Sequence, residues 1–157
     1  DFQIMKLINV PREKSYIGID VVASVIQDLK RLYGADKYPN YQFHHINDLS
    51  ELSRGNQLLR GDLLIVKDVL IHFPNKNIHY FIDHVLPNFK YALITNTFSN
   101  DQDLNSDISS GQFRPVDLTY APFNLLHNLE LVLRYVVGDT ERRVYFYQNP
   151  KFFDLHL

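Results

Sequence analysis

The stretch Gly61 to Asn75, GDLLIVKDVLIHFPN, constrains the fold more than any other part of the chain. After Asp62 comes Leu63-Leu64-Ile65-Val66, a short apolar run that breaks into charge at Lys67-Asp68. A run of that length with no polar alternation predicts a strand buried on both faces, as in the middle of a parallel sheet. In open α/β sheets, ligands bind beyond the carboxyl ends of the strands. Lys67, Asp68 and the nearby His72 therefore fall where a site is expected.

The flanking segments repeat the pattern. Tyr16 to Asp20 reads as a strand ending in a carboxylate. Val22, Val25, Ile26, Leu29, Leu32 and Tyr33 then recur at helical spacing, and Gly34 follows as a C-cap. Tyr41 to Ile46 is a further strand, with Asn47-Asp48 at its end and a short helix opening at Asp48 to Glu51. Asn75 reads as the N-cap of a helix carrying Ile78, Phe81, Ile82, Val85 and Leu86, which Pro87 stops. Tyr91 to Asn96 is another buried strand. Ser99 to Ser110 is a polar loop, and Gly111 to Asn124 is an ordered, aromatic-rich lid. Leu129 to Tyr135 alternates, Gly138-Asp139-Thr140 signals a turn, and Val144 to Tyr147 is strand-like. This predicts a β-hairpin, with a helix over 125–137 as the competing reading. Asp1 to Val10 has Ile4, Leu7 and Ile8 on one helical face before Pro11. Alternating strands and helices of this kind predict a mostly parallel sheet covered by helices.

Composition narrows the function. The 157 residues suit one domain, and the formal net charge of -2 disfavours a general nucleic-acid surface. Cysteine is absent, which removes disulfides, thiolate zinc sites and cysteine nucleophiles, and permits a cytoplasmic location. No apolar run approaches a membrane span. His44-His45 invites a metal reading, but neighbours on a strand face opposite ways and cannot chelate one ion, so no metal is expected.

Taken together, these residues resemble a known group. Tyr16-Ile17-Gly18-Ile19-Asp20 is similar to the second motif of class I S-adenosylmethionine-dependent methyltransferases, and Asp62 to His72 is similar to their fourth. The closer resemblance is to a bacterial family of methyltransferase-like proteins with Arg/Lys-Asp-x-Leu-x-His after a strand. That family also carries later segments similar to Gly111-Gln112-Phe113-Arg114-Pro115-Val116-Asp117-Leu118 and Ala121-Pro122-Phe123-Asn124. The resemblance covers essentially the whole chain. It implies an α/β fold, a Rossmann-like three-layer sandwich with a mostly parallel sheet and a C-terminal antiparallel hairpin. The cofactor it implies is S-adenosylmethionine, with a small-molecule or sugar-like methyl acceptor, while charge and hydropathy point to no nucleic acid and no membrane.

One departure carries an expectation of its own. The family's first motif is a strand ending in a turn like D-x-P-C-G-D-F, and only Asp1-Phe2 matches its last two positions. The first strand, which lies mid-sheet in such folds, is lacking. The chain is thus expected to be the C-terminal part of a longer protein, to leave two sheet edges unpaired, and to self-associate through exposed apolar surface.

The resemblance also assigns roles. Asp20 would accept hydrogen bonds from ribose hydroxyls, or else cap the following helix. Asn47 or Asp48 would contact adenine, or cap the next helix. Asp1 and Lys67 would complete the cofactor site. Asp68 and His72 are candidates for the base that takes a proton from the acceptor, Asp68 alternatively holding the methionine part. Arg114, Tyr120 and Asn124 would shape the acceptor pocket, unless Arg114 pairs with Asp117. Thr95 and Asn96 line the same crevice. Two other readings stand beside the enzyme: a non-catalytic binding or assembly domain, and half of a nucleotide-binding oxidoreductase using Asp20.

Overall fold

The structure is a computed structural model, and it describes residues 10–47, 51 and 60–153. The chain forms two compact units, Asp1–Leu58 and Leu59–Leu157. The expected helix over Asp1 to Val10 and the one opening at Asp48 lie outside the described residues, apart from single positions.

In the first unit, β1 (Tyr16–Asp20) pairs in parallel with β2 (Tyr41–His45), with Asp20 opposite His45. Helix α1 (Ala23–Leu32) connects them. The strand bounds at β1 agree with the sequence reading. The burial of α1 does not. Of its expected apolar face only Ile26 is buried, while Val22, Val25 and Leu32 are exposed. Two strands offer a narrow surface, and a helix laid on it covers one row of side chains, not a full face. Gly18 shows how tight that surface is: a Cβ there would meet the Phe43 ring at 2.9 Å.

The second unit is a four-stranded sheet in the order β3-β4-β6-β5. β3 (Gly61–Lys67) and β4 (Phe89–Phe98) are parallel. β6 (Thr140–Gln148) runs antiparallel to β4 and to β5 (Leu129–Val137), so the predicted hairpin forms and the competing helix does not. A bulge between Leu131 and Leu133 absorbs one residue of β5. The architecture is mixed α/β, with parallel and antiparallel pairing in one sheet.

β3 departs from its reading as a doubly buried central strand. It is an edge strand with β4 as its partner on one side, and Leu63 and Ile65 are 48% and 40% exposed. Val66, of opposite parity, is buried. The periodicity of the run could not reveal this, because an all-apolar strand has no polar face to mark which side meets solvent. Both β1 and β3 thus have one unpaired edge among the described residues.

Between β3 and β4 the chain makes a 3-10 turn (Leu70–His72), helix α2 (Asn75–Tyr80), a π-helical turn (Phe81–Val85) and a 3-10 turn (Leu86–Asn88). Asn75 is the first helical residue and not the N-cap. Its N–H donates to Asp107 Oδ1 at 2.8 Å, so a side chain from the later loop caps α2. Leu70, Ile78, Leu86, Ala92 and Ile94 are buried and form the centre of this unit's core. Asn149 closes it, donating from Nδ2 to the carbonyls of Pro87 and Phe89 at 2.9 and 3.1 Å. Among the described residues no helix is long and apolar enough to cross a membrane.

Ile94 and Val136 give a direct test of where the core sits. Ile94→Ala is expected to cost about 2–5 kcal/mol in urea unfolding with an unchanged m-value. Val136→Ala, at a 69% exposed position, should stay within about 0.5 kcal/mol of the parent.

Candidate functional site

The strand ends of the second unit carry an unusual concentration of polar groups. Asp68 follows β3 directly, with φ at +52°. A non-glycine residue there is strained by about 1–2 kcal/mol, so the surroundings must hold it. They do: the Asp68 N–H donates to the Thr95 carbonyl at 2.8 Å, continuing the β3–β4 ladder past the strand. The flipped backbone turns the carboxylate between two cations. Lys67 Nζ donates to Oδ2 at 3.0 Å, and Arg142 Nε lies 3.2 Å from Oδ1. The Arg142 N–H is not aligned for a hydrogen bond, and Oδ1 is buried without a hydrogen-bond partner.

Two further buried oxygens nearby in sequence and register lack hydrogen-bond partners, Asn96 Oδ1 and Thr97 Oγ1 at the end of β4. Thr97 sits opposite Arg142 in the β4–β6 register. Buried polar atoms are almost always paired in native proteins. As neighbours on β4 the two face opposite sides of the sheet, so each marks a place of its own where a donor could be accommodated.

His72 ends the 3-10 turn after β3, exposed to solvent. Its Nδ1 lies 3.0 Å from the Gln112 carbonyl, which can only accept, so Nδ1 is a donor and in the neutral ring the lone pair is on Nε2. Gly111 N–H donates to the His72 carbonyl, and Arg114 N–H to that of Ile71, so the 105–124 loop is stitched to this turn.

That loop is held by two buried charges with different partners. Arg114, expected to face a substrate anion or pair with Asp117, is 2% exposed and does neither. Its Nε donates to Ser106 O, Nη1 to Leu70 O, and Nη2 to Phe73 O and Asn75 Oδ1, all at 2.8–3.0 Å. Burial lowers its pKa from the ordinary value and Asp107 pushes it back up. Arg114 is a loop anchor in this structure. Asp117 receives hydrogen bonds from Arg143 Nη1 (2.9 Å), Tyr145 OH (2.7 Å), and the Thr119 N–H and hydroxyl (2.9 and 2.6 Å). Asn105, at φ +59°, donates to the carbonyls of Asp117 and Ala121. Burial lowers the Arg143 pKa, but hydrogen bonds to Glu141, Tyr145 and Asp117 more than reverse this and hold it above the ordinary value.

Tyr120 is 52% exposed, its ring 6.4 Å from Phe98. Asn124, at φ +50°, closes a turn by donating its N–H to the Tyr120 carbonyl. The sequence reading passed over Arg142 and Arg143. Adjacent on β6, they face opposite sides of the sheet, which is why one reaches Asp68 and the other Asp117. A consecutive arginine pair within a strand was the available signal.

In the first unit, Asp20 Oδ1 accepts the Val22 N–H at 2.8 Å. The carboxylate therefore does hold the entry to α1, though not as the N-cap residue, and it stands at a strand end. Asn47 donates from N–H and Nδ2 to Glu51 Oε1 at 3.0 and 2.6 Å. His44 and His45 turn to Gln42 and to the Val21 carbonyl respectively. Asp1 and Asp48 lie outside the described residues.

No family model matches this sequence, and no curated protein matches it. Among solved structures, the fold is similar to that of the yhhF protein of Escherichia coli, described as a candidate methyltransferase. The TM-score is 0.53 at 14% identity, covering 86% of this chain, which spans 64% of the length of that one. At that identity the likeness speaks to the fold alone.

Tyr145 and Tyr147 supply a pH test. Burial, and for Tyr145 also the bond to Asp117, raises both pKa values. A phenol with a raised native pKa stabilises the fold below its unfolded value of about 10, and that contribution is lost as pH climbs through the native value. The urea midpoint should therefore stay level through mildly alkaline pH and fall above about pH 10. Tyr147→Phe should make that fall shallower.

Proposed function

We propose that this chain carries most of a class I S-adenosylmethionine-dependent methyltransferase domain, acting on a small-molecule or sugar-like acceptor. The observation that carries the reading is the strained Asp68 after β3, its Oδ1 buried beside Arg142 without a hydrogen-bond partner. The motif resemblance and the methyltransferase-like fold support it. In this reading the sheet belongs to a Rossmann-like three-layer sandwich, and residues 1–157 to a single domain.

The roles follow element by element. Asp20, at the end of β1, accepts ribose hydroxyls on the carboxylate oxygen left over from the Val22 contact. Asn47 and Asp48 follow β2 and contact the adenine, and Asp1 and Lys67 complete the cofactor set. Asp68 orients the reacting groups, since methyl transfer needs positioning more than covalent chemistry. His72, with Nε2 unprotonated, takes the acceptor's proton. Tyr120 and Asn124 border the acceptor. The cofactor itself would supply an electrophilic methyl group on a sulfonium.

A second reading, a non-catalytic domain kept for assembly, is favoured by a different observation. Leu63 and Ile65 on β3, which has one unpaired edge among the described residues, and Val25 and Leu32 on α1, are exposed.

Calorimetric titration of S-adenosylhomocysteine separates the two. It should be made with this chain and with a longer polypeptide extended upstream of Asp1. Saturable binding that Asp20→Ala weakens at least about tenfold is expected, the size of a lost charge-assisted hydrogen bond. No binding by either polypeptide would leave the assembly reading.

A further inference from the structure

Beyond the end of β4, the second unit opens into a cleft of about 780 Å³, within the range of small-ligand sites. Neither Asp68 nor His72 lines it. Its wall includes Asp101, Asp103 and Asp139, together with Thr97, Phe98 and Phe113. All three carboxylates are exposed, and among the described residues none of the three is in an ion pair.

The nearby cations do not neutralise them. Arg142 pairs with Asp68, Arg143 with Asp117 and Glu141, and Arg114, which also lines the cleft, is bound to three carbonyls and Asn75. Three carboxylates against the one guanidinium of Arg114 leave the lining net negative.

An independent observation points to a ligand. Thr97 lines the cleft, is 2% exposed, and its Oγ1 has no hydrogen-bond partner. A hydroxyl in that state lacks what an N–H donor would provide. Phe113, 54% exposed on the same wall, offers an aromatic face suited to a cation.

A single metal ion does not fit this arrangement. Among the described residues no three acidic, histidine or cysteine side chains converge closely enough to hold one. Charge spread along a wall matches charge spread along a ligand.

From this we infer that the cleft is a binding site for an extended organic cation carrying two or more amino groups. One ammonium meets the Asp101–Asp103 segment, another meets Asp139, and an N–H reaches Thr97 Oγ1. The site stands on its own, whatever the fate of the methyl-transfer reading.

Spermidine is the probe, titrated by calorimetry into the full chain, with magnesium chloride at equal ionic strength as the control for plain screening. Saturable binding is expected. The Asp101→Asn/Asp139→Asn double variant, isosteric at two exposed positions and leaving an amide oxygen to accept from Ser99 Oγ, should lose about tenfold or more in affinity, and Thr97→Val about three- to tenfold. Salt should weaken spermidine binding, and magnesium should act only as salt. Absence of saturable binding overturns the proposal. So does binding that the double variant leaves unchanged, or displacement of spermidine by magnesium beyond the ionic-strength effect. S-adenosylhomocysteine binding with no spermidine binding would leave the enzyme reading intact and remove this one.

Discussion

The second unit depends on a carboxylate without solvent access. Asp117 collects a guanidinium, a phenol, a hydroxyl and a main-chain N–H, and so ties the 105–124 loop to β6. An unpaired charge in that position would carry several kcal/mol of desolvation. The network is tolerable only because every partner is in place at once. Tyr145 and Arg143 come from one face of β6, Thr119 from the loop itself, and Asn105 holds the backbone on the other side. Phe98 completes the packing, with the Arg143 guanidinium 3.0 Å above its ring. A loop this polar could not otherwise be ordered against a sheet.

With the loop fixed, the strand ends acquire their shape. Arg114 holds the other end of the same loop to the turn after β3, through the carbonyls of Leu70 and Phe73. The loop thereby fixes the Nδ1 proton of His72 through the Gln112 carbonyl and caps α2 through Asp107. Buried Arg114 and half-buried Arg143 do opposite jobs with the same chemistry. Arg114 gathers carbonyls at and beyond a 3-10 turn, and Arg143 satisfies a carboxylate. Arg142, one residue away, turns to the opposite face and holds the strained Asp68.

Much of the element order was legible in the chain. Tyr16 to Asp20, the parallel run at Gly61 to Lys67 and the Gly138 hairpin are recognisable because local periodicity and turn chemistry agree there. The carboxyl-end placement of Asp20, Lys67 and Asp68 follows from the same reading. Burial was not legible. Val25, Leu32, Leu63 and Ile65 look like core residues and are exposed, because hydrophobicity states what a residue prefers and not what lies opposite it. The role of Arg114 was misread for a related reason. An arginine in a loop is usually a surface group, and only the four oxygens around it make this one an anchor.

By itself, then, the sequence determined, among the described residues, the strands, the helices α1 and α2 and the strand-end positions of the acids. These rest on short-range physics: side-chain period, glycine and proline geometry, and capping. Only tertiary structure decided which charges meet. Asp117 chose Arg143 over Arg114, and Asp68 drew in Arg142 from 74 positions along the chain. Pairing at that range depends on strand register and on which face each β6 side chain takes. No local pattern encodes the partner, because the energy that selects it exists only once the sheet has formed.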